Sequence, residues 1–187
     1  MINDKIFFNQ DLNTIRLSAP LMQDSVVDGP GLRTVIWTQG CIHNCEECHN
    51  PQTHSLCGGA LYQLDDILHQ IRLLNQNITL SGGDPALQPE QCTCIAKHAR
   101  QLGLTVWMFT GFCFEDLITN NLTLALLKNI DVIVDGKFDK NQKHADLQFK
   151  GSSNQRIIDV QQSLLNNKII LWENPMNAIR NVQPELI

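Results

Sequence analysis

The chain has 187 residues, of which 43% are hydrophobic and 18% charged, with a formal net charge of -5. That composition fits one ordinary globular domain with enough apolar material for a core. The acidic balance argues against a broad phosphate-binding surface, so nucleic acid is not an expected partner; no apolar run approaches the roughly 20 residues that span a bilayer, so no membrane span is expected.

The opening stretch MINDKIFFNQDLNTIRL shows no basic segment followed by a long apolar one. It does not read as a signal peptide, and a cytoplasmic setting is expected. In chain order, RTVIWTQG (33–40) reads as a buried strand running into a cysteine loop. LYQLDDILHQIRLLN (61–75) places Leu61, Leu64, Ile67, Leu68, Ile71 and Leu74 on one helical face. NITLSGGDP (77–85) reads as a strand ending in a glycine turn, and EQCTCIAKHARQLG (90–103) as a helix with a glycine stop. LTVWMFTG (104–111) is a further strand, and FEDLITNNLTLALLKN (114–129) is helical in pattern. IDVIVDGKF (130–138) is a strand ending in a polar turn, and KIILWEN (168–174) is a last strand.

Strands alternating with helices predict an α/β fold, a mostly parallel sheet with alternating helices. The unusual residues follow strand ends: the cysteines after 33–40, SGGDP after 77–80, TGF after 104–109 and DGKF after 130–134. Ligands bind at that edge of parallel α/β sheets. The chain is short for an eight-unit barrel, so an open or partial (βα) barrel is expected.

Seven cysteines, an odd number in a reducing compartment, favour metal or redox chemistry over a disulfide framework. Cys41, Cys45 and Cys48 lie in CIHNCEECHN with C-x3-C-x2-C spacing. Three readings compete. They could be apolar buried thiols, although the surrounding run is polar. They could be part of a zinc site, with His49 or Cys57 as fourth ligand. Or they could be three ligands to a cubane iron–sulfur cluster, leaving one iron open.

Here the residues become recognisable. C-x3-C-x2-C in a loop after a strand resembles the signature of the radical S-adenosylmethionine enzymes. SGGDP (81–85) resembles their glycine-rich motif, with Asp84 where Glu is commoner; as a lone motif it is also a good turn. VDGPGLR (27–33) resembles a motif of glycyl-radical activases, beside its plain reading as a Gly-Pro turn. With FTGF, DVIVDGKF (131–138) and GSSNQRIIDV (151–160), the chain over about 26–160 resembles the activating proteins of anaerobic ribonucleoside-triphosphate reductase.

The resemblance implies a 4Fe-4S cluster on Cys41, Cys45 and Cys48, with S-adenosyl-L-methionine on the open iron. It implies cofactor contacts from Glu47, Cys48, His49, Gly82, Gly83, Asp84, Asp135 and Lys137. Glu47 stands where the superfamily often has an aromatic ring, so backbone contacts rather than stacking are expected there. No side chain is required as an acid or base. The implied partners are the large reductase subunit, whose glycine would receive the radical, and a flavodoxin- or ferredoxin-like electron donor. A small-molecule substrate, another glycyl-radical protein and a zinc module stand as the alternatives.

Asp135 and Lys137 could form an electrostatic clamp or a solvated turn. Ser152 to Arg156 could line the site, receive a partner loop or cap a turn. Cys92 and Cys94 read as core or surface thiols, and Cys57 and Cys113 as remote candidates for a second cluster. His69, His98 and His144 read as structural or solvated. Trp107, Phe109 and Phe112 read as packing at the sheet edge.

Overall fold

The centre of the fold is four parallel strands: β3 (Arg33–Thr38), β5 (Asn77–Gly82), β6 (Val106–Phe109) and β7 (Val132–Asp135). Nearly every residue in them is buried, which is how a strand covered on both faces reads. The computed structural model describes residues 11–174, so the expectations for 1–10 and 175–187 lie outside the described residues.

Around this centre the sheet turns antiparallel. Strands β1 (Thr14–Leu17), β2 (Met22–Ser25) and β4 (Ala60–Gln63) flank one side, and β8 (Arg156–Asp159) closes the other. The order is β4-β1-β3-β5-β6-β7-β8, with β2 also paired to β3, eight strands among the described residues. The sheet is therefore mixed, and the fold class is α/β with a parallel centre.

Period-two alternation divides the side chains between two faces. Ile36, Ile78, Leu80, Met108 and Ile133 point to one face, where they join the main core. Helices α1 (Leu64–Leu74), α2 (Pro89–Gln101), α3 (Phe114–Leu117), α4 (Asn121–Leu127) and α5 (Val160–Asn166) bury their apolar stripes against it, through residues such as Ile67, Ile71, Ile95 and Leu126. On the opposite face Trp107, Val132 and Val134 pack with Phe109, Phe149 and Trp172, so loop segments rather than helices cover it. Trp107 meets Trp172 edge-on with centroids 5.0 Å apart. The aromatic residues thus include sheet packing, as expected for Trp107.

Several boundaries depart from expectation. The helix over 61–75 begins only at Leu64, and Leu61 lies in β4 opposite Arg16, 54% exposed. Cross-strand pairing with β1 overrides the helical spacing of that leucine. The strand expected over 168–174 reduces to one bridge, Ile158 to Leu171. The helical stretch 114–129 is two helices, broken where Asn120 caps α4 by accepting from the backbone N–H groups of Leu122 and Thr123. Two short strands that the pattern did not mark, β1 and β2, precede RTVIWT.

One buried cation ties the strand starts together. The Arg33 side chain is fully buried. Its Nε donates to Thr79 Oγ1 at 2.7 Å, and its guanidinium also donates to the carbonyls of Ile78 and Thr105. Thr79 Oγ1 in turn donates to the Asp28 carbonyl at 2.7 Å, so Arg33 fixes the 27–31 turn through β5. Burial pushes its pKa down to about 10, against the opposing pull of Asp131 and Asp28. Arg33→Ala removes these donors and leaves a cavity beside Trp107. It is expected to destabilise the fold by about 3 kcal/mol, read as a lower urea midpoint in equilibrium unfolding.

Candidate active site

The four polar segments that follow β3, β5, β6 and β7 meet at one edge of the sheet, as parallel strands require. They enclose a cavity of about 290 Å3, walled on the sheet side by Trp37, Ser81 and Phe109. Cys41, Cys45, Cys48, His49, Gly82 and Gly83 all line it. The main candidate segments therefore do converge.

The segments are held together by direct backbone contact. Gly83 N–H donates to the Thr38 carbonyl at 2.8 Å, and Asp84 N–H to the Gly40 carbonyl at 2.8 Å. A Cβ on Gly83 would lie 2.2 Å from the Gly40 carbonyl oxygen, so only glycine allows this approach. Gly82, at φ +104, is in the region that side chains avoid. On the far side Gly40 N–H donates to Thr53 and Cys41 N–H to His54. The cysteine loop is thus pinned at its start to the glycine turn and to the residues that follow it.

The thiols are only partly exposed. Burial pushes Cys41 up to about 11, with the backbone N–H of His43 acting in the opposite direction. Burial also raises Cys45, while the backbone at Phe138 and the Lys137 charge pull it down. A bound metal reverses this balance, because the thiolate is the form that ligates.

Four residues expected at the cofactor lie outside the cavity lining. Glu47 sits at φ +55 with its carboxylate 3.7 Å from Lys140 Nζ, pointing away into solvent. Asp84 is fully buried and its oxygens are occupied: they accept from Thr110 Oγ1, the backbone N–H groups of Ala86 and Gly111, and His43 Nε2. Asp135 is paired with Arg156, not with Lys137, and also accepts from Phe114 N–H at 2.8 Å. Lys137 is exposed, and its carbonyl accepts from Asn154.

Other side chains were not singled out by the sequence reading. His43, between the first two cysteines, lines the cavity, and so do Asp28 and His54. Of the 152–156 cluster, Gln155 reaches the cavity while accepting from Gly151 N–H at 2.8 Å and donating to the Gly136 carbonyl at 2.9 Å. Arg156 instead bridges Asp135 and Glu115. The C-x-H-x-C spacing was the available signal for His43, and the polar run 152–156 offers Gln155 as a residue that could line the site. Cys92 is buried and Cys94 exposed, as expected. Cys113 lies with Glu115 and Asp135, whose charge Arg156 already balances.

The donor set suits a cluster better than a single ion. Tetrahedral zinc, with bonds of about 2.3 Å, would draw two thiolates to about 3.8 Å. Among the described residues only Cys113, Glu115 and Asp135 bring three ligand atoms within 4.8 Å of one another. The loop thiols instead stand around a cavity, with no fourth cysteine in its lining. His54 is also in the lining, while its Nε2 is buried without a hydrogen-bond partner among the described residues.

Comparison with known proteins accords with this geometry. Residues 27–158 match the family model described as a 4Fe-4S single cluster domain, which defines the class as iron–sulfur. The anaerobic ribonucleoside-triphosphate reductase-activating protein of Enterobacteria phage T4 is 37% identical over 140 residues, covering 70% of this chain and 86% of the relative. Proteins of the same name from Vibrio cholerae and Escherichia coli are each 34% identical, over 71% and 70% of this chain and 90% of each relative. The chain belongs to the family of anaerobic ribonucleoside-triphosphate reductase-activating proteins.

Gly83→Ala is expected to separate the glycine turn from the cysteine loop. After anaerobic reconstitution the variant should hold less than about half of the wild-type iron, because ligand positions must be kept within a fraction of an ångström. Iron per chain by colorimetric assay, with circular dichroism to check the fold, measures this.

Proposed function

We propose that this chain is a radical S-adenosylmethionine activase that installs a glycyl radical on the large subunit of an anaerobic ribonucleoside-triphosphate reductase. The observation that carries the reading is the cavity itself: three loop cysteines and a Gly-Gly turn on one wall, and no fourth cysteine. In this reading Cys41, Cys45 and Cys48 hold a 4Fe-4S cluster. Bound together, the reduced cluster and S-adenosylmethionine supply a 5′-deoxyadenosyl radical, which takes a hydrogen atom from the partner's glycine.

The chain's own residues bind and orient. Gly82 and Gly83 offer bare backbone to the cofactor, Cys48 and the ring of His49 flank it, and Glu47 stands outside the cavity. His49 is itself steadied by Phe138, with ring centroids 4.8 Å apart. Asp84 and Asp135 act from behind the wall, by holding the loops, and Lys137 through its charge near Cys45. No general acid or base is needed, because the chemistry moves a hydrogen atom.

A protein substrate is favoured over a small molecule by the open side of the site. A second groove shares Asp28, His49, Phe109 and Gly151 with the cavity and continues along Val26, Val27 and Phe149. Val26 and Val27 are 63% and 71% exposed at its rim. An extended loop of the reductase subunit fits such a groove and would complete the wall that excludes water. The same reading makes the chain one functional unit with its core at about 26–160, its open sheet a partial barrel of radical S-adenosylmethionine type, and its electron donor a flavodoxin- or ferredoxin-like protein. It places the protein in the cytoplasm with no nucleic-acid or membrane partner. Among the described residues no helix is long and apolar enough to cross a membrane.

The test is anaerobic reconstitution with iron and sulfide, reduction in the presence of S-adenosylmethionine, and assay of 5′-deoxyadenosine with and without the large subunit. Wild-type protein is expected to form deoxyadenosine and, with the subunit, a glycyl-radical signal in electron paramagnetic resonance. Cys45→Ser should lose the cluster and at least about 99% of cleavage. Cys94→Ser, exposed on α2, should keep both. Deoxyadenosine without any radical on the subunit would instead support another substrate.

A further inference from the structure

Gly136 follows β7 directly and Gln155 precedes β8, so the segment between them is a long loop that leaves one strand and returns on its antiparallel neighbour. A loop of that length needs bonds of its own to hold one shape. Here they come from the polar run GSSNQ (151–155), whose side chains reach backbone groups.

Three of those side chains bond to the turn just past β7. Gln155 Nε2 donates to the Gly136 carbonyl at 2.9 Å, and Asn154 Nδ2 donates to the Lys137 carbonyl at 2.8 Å. The Asp139 N–H donates to Ser152 Oγ at 3.1 Å. Gln155 Oε1 also accepts from the N–H groups of Gly151 at 2.8 Å and Ser152 at 3.2 Å. With two donors at its oxygen and a carbonyl at its nitrogen, this amide fits in one orientation only. Methionine, of similar length, would make none of these bonds.

What the clamp holds is one wall of the cavity. Gly136, Phe138, Gly151 and Gln155 all line it, beside His49. The Phe138 ring packs on that of His49, and Gly151 stands directly against both. A Cβ on Gly151 would lie 3.0 Å from Phe138 Cδ2 and 3.5 Å from His49 Cε1. Ser152 is fully buried and outside the lining, so it acts on the cavity only through the turn it holds. Ser153 is the contrast: it is exposed, and its side chain donates to Gln142 Oε1 at 3.2 Å, away from the turn.

We propose that Ser152 and Gln155 are positioning residues for the cofactor: they lock the 136–139 turn to Gly151 and so fix the wall that Phe138 and His49 present to S-adenosylmethionine. The inference rests on the reading of this cavity as the S-adenosylmethionine site. It gives the GSSNQ run a role inside the chain, in place of a contact with the partner's loop.

The experiment compares full-length wild type with Ser152→Ala, Gln155→Met and Ser153→Ala. Before reconstitution, amide hydrogen exchange over residues 136–152 is followed by mass spectrometry. After anaerobic reconstitution, iron is counted and the Kd for S-adenosylmethionine is found by equilibrium dialysis with the cluster oxidised, so that no cleavage occurs. Ser152→Ala and Gln155→Met should both exchange faster and bind about threefold to tenfold more weakly at unchanged iron, the range one or two hydrogen bonds can supply. Ser153→Ala should match wild type in both measurements. Should Gln155→Met not fold, Ser152→Ala decides alone. Weaker binding in Gln155→Met with wild-type behaviour in Ser152→Ala would mean a direct contact and overturn the clamp. Faster exchange with an unchanged Kd would also overturn it, leaving a purely structural loop. A wild-type chain that takes up iron but no S-adenosylmethionine would instead overturn the cofactor reading, and this inference with it.

Discussion

The site depends on one backbone approach, that of Gly83 to Gly40. Two strands, β3 and β5, run parallel and side by side, and their ends must deliver two loops to the same point. Without a Cβ at Gly83, the amide of Asp84 reaches the Gly40 carbonyl, and the cysteine loop starts from a fixed position. Everything on the cavity wall is placed from there. The Asp84 carboxylate carries the constraint onward to β6 through Thr110 and Gly111, so three parallel strands share one registration point.

The second constraint is the asymmetry of the sheet. One face is sealed by helices and forms the main core; the other carries Arg33, Trp107 and the loop residues Phe149 and Trp172. A cavity needs a rigid floor and an accessible roof, and this arrangement supplies both. The floor is made from residues whose neighbours along the strand are buried in the core. The roof is loop, which leaves room for a large partner to approach. Burial raises the thiols of Cys41 and Cys45, and a bound metal would supply the opposing charge that favours thiolate.

Much of this was legible in the sequence where the signal is local. C-x3-C-x2-C and Gly-Gly-Asp-Pro each declare themselves within a few residues, and the strand–helix alternation places both at one sheet edge. The role of Asp84 was not legible, because its partners His43 and Thr110 lie 41 and 26 positions away. The same holds for Asp135, whose natural-looking neighbour Lys137 is passed over for Arg156 on the adjacent antiparallel strand. Leu61 misled by falling in helical register while its backbone pairs with β1. The short strands β1, β2 and β8 are four residues each, too brief for periodicity to separate from the surrounding chain.

The central claim is a cluster with one iron left free for a cofactor. Its most direct test is Mössbauer spectroscopy of protein reconstituted with 57Fe, recorded before and after addition of S-adenosylmethionine. A cubane held by three cysteines should show one iron in about four changing its isomer shift toward higher coordination, with the other irons unmoved. Spectra that are identical with and without S-adenosylmethionine, from a fully loaded cluster, would contradict the account.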